Sequence, residues 1–379
     1  MNQNRFILIN LFLFITSIFN YTTSSEPLIV LYERDGNCYS TLITFNQINK
    51  SIHCKLDMSM QHTFIQKQNF YANPYPDSQD ESILTSINLN SPSTCQIESF
   101  NLSLASHSHS LDTCGVSLKY SDEDMSMNLL YQLYDMNLIQ TKSFTFDIYN
   151  DEERTHKLYL GGKIPETNLI NKAKLELNVI NNTFSRNWGL NLTSFSIDGY
   201  KQKYTNNYYS YINVANDRIF VPKDVIEYLK DGPFKKYLDN NICNFLNDGD
   251  YNLYFNCNCE LIWKSFPDTY FDFGTKRFVF DNKHMFIPVR NGEKCLYLLQ
   301  HQNRDFFEDE WFIGSYFIRK FMVEFNYDTR VITFYGNENM LININEINIG
   351  KKYLIYTEIF IMLIGCLFLG YMFYLSKII

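Results

Sequence analysis

Residues 311–328 read Trp311-Phe-Ile-Gly-Ser-Tyr-Phe-Ile-Arg-Lys-Phe-Met-Val-Glu-Phe-Asn-Tyr-Asp328, and after Thr329 the chain continues Arg330-Val-Ile-Thr-Phe334. Aromatic and β-branched residues dominate the stretch, and 331–335 matches the strand template. The same texture recurs upstream at 39–45, 52–56, 143–148, 157–160, 189–197, 208–214 and 278–280, with turn residues between the runs. Only two patches read as helix: 128–136, and 223–229, which Pro222 introduces. No repeat of fixed period is visible, but one strand–helix–strand scheme fits twice, once on each side of about residue 175.

Composition agrees with this texture. Of 379 residues, 45% are hydrophobic and 17% aromatic, with 32 Phe and 28 Tyr, which favour strands and can bury a sizeable core. Wholesale disorder is excluded, and 15 Gly and 9 Pro are too few for a collagen-like or low-complexity chain. A net charge of −8 argues against a nucleic-acid partner held through phosphates.

The ends predict where the chain resides. Asn4 and Arg5 precede an apolar run at 6–19 and a small polar stretch at 22–25, the layout of a signal peptide (1–25). Residues 353–375 form a second apolar run, long enough for one transmembrane helix, and 376–379 would be a short cytoplasmic tail. The expected arrangement is a single-pass type I membrane protein of the cell surface or endolysosomal membrane, with a lumenal body. Of nine cysteines, Cys366 lies in the span, and an even eight remain in an oxidising compartment, so disulfides are expected. Cys38, Cys54, Cys95 and Cys114 allow three pairings. Sequons stand at Asn49, Asn101, Asn181 and Asn191.

Five blocks in order carry a resemblance. The stretch from Trp311 resembles the W-[IL]-[IL]-G-D-x-F-[IL]-R signature of pepsin-like (A1) aspartic proteases, and 188–199 (WGLNLTSFSIDG) is similar to the segment opening that family's second lobe. Residues 129–148 look like its helix and following strand, 158–162 (LYLGG) like its L-x-[FIL]-G-G strand, and Phe266-Pro267-Asp268 like the L-P-x-[IL] strand inside its last disulfide. The resemblance runs from about Tyr39 to Gly336. It implies an all-β bilobal fold with a few short helices, an N-terminal lobe at 26–175, a C-terminal lobe at 176–345, and a Cys259–Cys295 disulfide.

The family's chemistry needs two carboxylates about 3 Å apart that share a proton and activate water. Each comes from an Asp-Thr/Ser-Gly turn. The first turn falls at Asp57-Met58-Ser59: the acid is kept, while the hydroxyl neighbour and the glycine are replaced. Ungapped counting from Trp188 puts Asn213-Val214-Ala215 at the second, so an amide stands where the second acid belongs. Asp217 comes four residues later, and Ser315 follows Gly314 where an Asp is usual. Only residues 26–38 separate the signal peptide from the first strand, too few for the family's inhibitory propeptide. The flap, usually a Tyr-Gly-rich hairpin, has no counterpart between Phe64 and Ile87, and Tyr71 and Tyr75 lie in a turn-rich loop.

No G-x-S-x-G, H-E-x-x-H, Walker A or G-x-G-x-x-G motif is present. Gly161-Gly162-Lys163 has the wrong flanks for a phosphate loop, His107-x-His109 lacks a third ligand, and Asp122-Glu123-Asp124 lacks the pattern of a calcium loop. No cofactor or metal is expected. The sequence thus predicts a membrane-anchored, non-catalytic protein that binds a peptide or protein in its interlobe cleft. The alternative is an active aspartic endopeptidase with a divergent dyad.

Overall fold

The computed structural model describes residues 28–34, 38–58, 63–66, 81–89, 95–105, 114–119, 126–148, 156–162, 164–180, 188–200, 208–247, 252–289, 292–302, 310–345, 360–362 and 364–365. The proposed signal peptide and tail lie outside these residues, as does most of the proposed membrane span. Among the described residues, no helix is long and apolar enough to cross a membrane.

The first half begins with β1 (Leu28–Arg34), which pairs antiparallel with β2 (Cys38–Phe45). A hairpin then leads into β3 (Lys50–Asp57), with Asn49 in the left-handed region (φ 46°), which Asn tolerates better than most residues. Along β3 the side chains alternate, with Ile52, Cys54 and Leu56 buried and Ser51 and His53 exposed, which fixes the face that packs inward. β4 (Phe64–Gln66), β5 (Glu81–Leu89), β6 (Cys95–Ala105) and β7 (Cys114–Ser117) follow. Helix α1 (Leu129–Asp135) starts at Asn128, whose side chain caps Leu130 N–H at 3.0 Å. It buries Leu129, Leu130 and Leu133. Its Gln132 accepts from Asn101 N–H at 2.6 Å and donates to Asn101 C=O at 2.8 Å, clasping the backbone of β6. β8 (Ser143–Asp147) and β9 (His156–Leu160) complete this half.

The second half runs through β10 (Ala173–Asn178), β11 (Gly189–Leu192), β12 (Ser194–Ile197), β13 (Tyr208–Ile212) and β14 (Ile219–Phe220). Helices α2 (Lys223–Asp231) and α3 (Lys235–Asp239) lead to β15 (Cys243–Asn247), β16 (Asn252–Asn258) and α4 (Cys259–Ser265). β17 (Thr269–Phe273), β18 (Lys276–Phe280), α5 (Asn282–Met285), β19 (Phe286–Val289), β20 (Lys294–Tyr297) and β21 (Leu299–Gln302) follow. The chain then forms β22 (Glu310–Ile313), α6 (Ser315–Ile318), β23 (Met322–Asn326), β24 (Val331–Gly336) and β25 (Leu341–Asn343). The fold is mostly β with a few short helices, as the texture of the sequence predicts.

One strand scheme occurs in both halves. In the first, β3 runs parallel to β7, β4 antiparallel to β7, and β4 parallel to β6. In the second, β13 runs parallel to β22, β14 antiparallel to β22, and β14 parallel to β21. The halves share a seam, the order β10-β24-β23-β8-β9-β1 within one sheet, in which β23 of the second half pairs with β8 of the first from Met322↔Asp147 to Asn326↔Ser143. Aromatic rings back the seam: Phe144 stacks on Phe325 at 4.9 Å, and Trp188 stands edge-on to Phe325 and Tyr327 at 5.0 and 4.8 Å.

Three disulfides are present among the described residues: Cys54–Cys114, Cys243–Cys257 and the expected Cys259–Cys295. The first joins the parallel strands β3 and β7 three residues before Asp57.

Three local expectations need correction. The run 189–197 is two strands broken at Thr193, whose hydroxyl donates to Asp272 C=O at 2.9 Å. The run 208–214 ends as a strand at Ile212. Residues 266–268 are not a strand but an irregular link between α4 and β17.

Candidate functional site

Equivalent strands of the repeated scheme lead to Asp57 and Asn213. Asp57 closes β3, and its carbonyl accepts Leu118 N–H at 2.9 Å, just beyond β7. Asn213 follows β13, and its N–H donates to Ile313 C=O at 3.0 Å, the end of β22. Trp188 Nε1 donates to Leu118 C=O at 3.1 Å and Tyr327 O–H to Lys119 C=O at 2.7 Å, so second-half side chains hold the backbone beside Asp57.

Asp57 and Asn213 face one another. Asn213 Nδ2 donates to Asp57 Oδ1 at 3.3 Å, while its Oδ1 accepts Ala215 N–H at 2.9 Å and Met58 N–H at 3.4 Å. These partners orient the amide: the oxygen meets two N–H donors and the NH2 meets the carboxylate. Asn213 is 3% exposed, and its bonds from Ala215 and Met58 N–H form away from bulk water, where an unmade one would cost more, while the bond to Asp57 is part-buried. Met58 and Val214 are fully buried and Ala215 nearly so, which makes the positions after Asp57 and Asn213 packing residues that offer no hydroxyl. Ser59 lies outside the described residues.

Asp217 serves elsewhere. Burial pushes its carboxyl above the ordinary range, partly offset by Arg218, whose Nε lies 3.6 Å from Asp217 Oδ2. Arg218 also donates from Nη1 to Gln300 Oε1 at 2.6 Å. The loop is set by Gly314: a Cβ there would come within 2.3 Å of Arg218 O and 2.7 Å of Asn216 O. Ser315, fully buried, donates its N–H to Asn216 C=O at 2.6 Å.

The wall beside Asn213 is aromatic. Ser210 and Ile212 of β13 face inward, so Tyr209, Tyr211 and then Asn213 occupy the other face. Tyr211 meets Phe312 at 4.7 Å, Phe312 meets Phe220 at 6.0 Å, and Tyr209 meets Tyr211 at 6.2 Å. Burial, with Glu310 nearby, pushes the Tyr211 hydroxyl pKa upward, so it stays a neutral donor.

A long hairpin also lies on the first-half side, partly beyond the stretch between Phe64 and Ile87 in which no flap-like sequence occurs. β5 and β6 pair antiparallel over 81–105, with Ile87 inside the first strand. The pairings Phe45↔Ile87 and Ile43↔Leu89 show β5 running toward the end of the β2–β3 pair that carries Asp57. The connecting residues 90–94, which lie outside the described set, read Asn-Ser-Pro-Ser-Thr, with neither Tyr nor Gly.

No group of three His, Cys, Asp or Glu that could hold a metal occurs among the described residues. His107, His109, the acidic run 122–124 and Lys163 lie outside them. A family model, that of the eukaryotic aspartyl proteases, matches residues 89–335, a span that includes Asn213 and begins after Asp57. No curated protein matches the chain.

Proposed function

Because the chain belongs to the eukaryotic aspartyl protease family, we propose that it is a non-catalytic member that binds an extended peptide or protein segment in the cleft between its halves. The observation that carries this reading is the amide of Asn213 donating to Asp57 where the reaction needs a second carboxylate.

Hydrolysis by such a pair requires one group to take a proton from water while the other gives one to the scissile carbonyl, and then both to exchange roles. Asp57 can accept a proton. Asn213 presents a fixed donor that neither releases nor recovers one, so the cycle stops at its first half. Binding needs less. Strand edges and the β5–β6 hairpin would offer backbone hydrogen bonds to an extended chain, and the aromatic wall from Tyr209 to Phe220 apolar contact. For the apolar end, the reading is a membrane anchor at 353–375. Its described residues 360–362 and 364–365 are helical, with Phe360, Ile361, Met362 and Ile364 exposed. The signal peptide would place the body in the lumen or outside the cell.

The second reading, an active endopeptidase, draws on Asp217, a partly buried carboxyl with a raised pKa four residues from Asn213. One assay separates them. The full chain in detergent is incubated with a peptide library at acid pH, with and without a transition-state-mimicking inhibitor. The expected result is retention of peptides without cleavage. Inhibitor-sensitive cleavage that disappears in Asp57→Ala would overturn the proposal, and its loss in Asp217→Asn as well would identify the second acid.

A further inference from the structure

We propose that Asn191 carries an N-linked glycan that stands at the border of the cleft and narrows access to it. This inference rests on the lumenal placement and the cleft reading above. Asn191-Leu192-Thr193 is a sequon on β11, which forms the edge of its sheet. Leu190 and Leu192 point into the core, at 1% and 0% exposure, so Asn191 projects from the opposite face and is exposed. The register places it across from Tyr209, and Gly189 across from Tyr211. Asn191 therefore shares the face of its partner Tyr209 and of Tyr211, and Asn213, the first residue beyond β13, lies four residues, about 13 Å of extended chain, from Tyr209.

The modification transfers an oligosaccharide from a lipid-diphosphate donor. The Asn191 amide nitrogen forms a bond to C1 of the first sugar, the C1–oxygen bond to the diphosphate breaks, and the lipid diphosphate leaves as the amide gives up one proton. Of the other sequons, Asn49 supplies a control. It is exposed in the β2–β3 turn, at the far end of β3 from Asp57. A glycan there stands away from the cleft.

The test uses the full chain made in a eukaryotic secretory host, with glycopeptide mapping and binding of a fluorescent statine-containing peptide. Asn191→Gln removes one sequon. Ser51→Ala removes the other and keeps Asn49, which holds a left-handed backbone. Thr193 is left intact because its hydroxyl bonds Asp272 C=O and Gly274 N–H. The expected result is sugar on both asparagines, with probe binding tightened about threefold or more by Asn191→Gln and unchanged by Ser51→Ala. Enzymatic deglycosylation of the parent should reproduce the tightening without any substitution. Sugar on Asn49 with Asn191 bare overturns the proposal alone. Both bare overturns it together with the lumenal placement. Both occupied, with equal probe affinity in all three proteins, overturns the border position. A probe that binds none of them overturns the cleft reading, while occupancy of Asn191 still decides the glycan.

Discussion

Asn213 keeps the shape of a carboxylate and gives up its charge. Its oxygen takes the two N–H donors that a carboxylate oxygen could take, and its nitrogen turns a potential repulsion with Asp57 into a hydrogen bond. Placing an acid there should create that conflict. In Asn213→Asp, one of two facing carboxyls retains its proton well above the ordinary range. A raised folded pKa contributes stability that is full below about pH 4 and lost as pH rises. The variant is expected to match the parent near pH 4 and to lose about 1–3 kcal/mol by pH 7, read from thermal melts at both values. An equal loss at both would mean a packing defect instead. Gly314 is a second residue fixed by its surroundings. Its φ of −86° suits any residue, so the demand is for space alone. Gly314→Ala forces a methyl against the carbonyls of Arg218 and Asn216, backbone that cannot swing aside, and is expected to cost about 3 kcal/mol in urea unfolding.

At the scale of elements, α1 is fastened to β6 by one side chain. Gln132→Leu keeps the volume and leaves both the N–H and the C=O of Asn101 without that partner, and should cost about 2–4 kcal/mol by chemical denaturation with the fold retained. Gln132→Glu, which keeps only the accepting half, should fall between. Such fastenings explain what the sequence revealed and what it concealed. Strands such as β3 were legible because apolar and polar residues alternate along them, Ile52, Cys54 and Leu56 interleaving with Ser51, His53 and Lys55. Asn213 was legible because ungapped counting from Trp188 reaches it. The break at Thr193 was not, since the bond that makes it goes to Asp272, 79 positions away. The Cys54–Cys114 pair was one of three options until the parallel register of β3 with β7 brought residues 60 apart together. The β5–β6 hairpin was not legible as a flap because 90–94 lacks the tyrosine and glycine that would have marked it.

Across the whole molecule, burial sets how stability responds to acidity. Glu324 lies in the seam strand β23, where burial holds its carboxyl above the usual range and Tyr335 O–H donates to it at 3.0 Å. The folded state therefore holds this proton more tightly than the unfolded chain does. The resulting stabilisation is complete below about pH 4 and fades as pH rises through the folded pKa. Glu324→Gln removes the titration, so thermal melts should show the variant gaining on the parent between pH 4 and pH 7. A constant difference across that range would refute the assignment. His284, whose pKa burial pushes down, acts in the opposite direction but is common to both proteins and cancels in the comparison. The seam has one more consequence. Strands β8 and β23 each satisfy their outer backbone groups only on the other half. Either half alone would present a raw, unsatisfied edge, the kind of surface on which chains template one another into aggregates. The duplicated architecture thus serves as its own guard, each copy acting as the protective cap that keeps the other soluble.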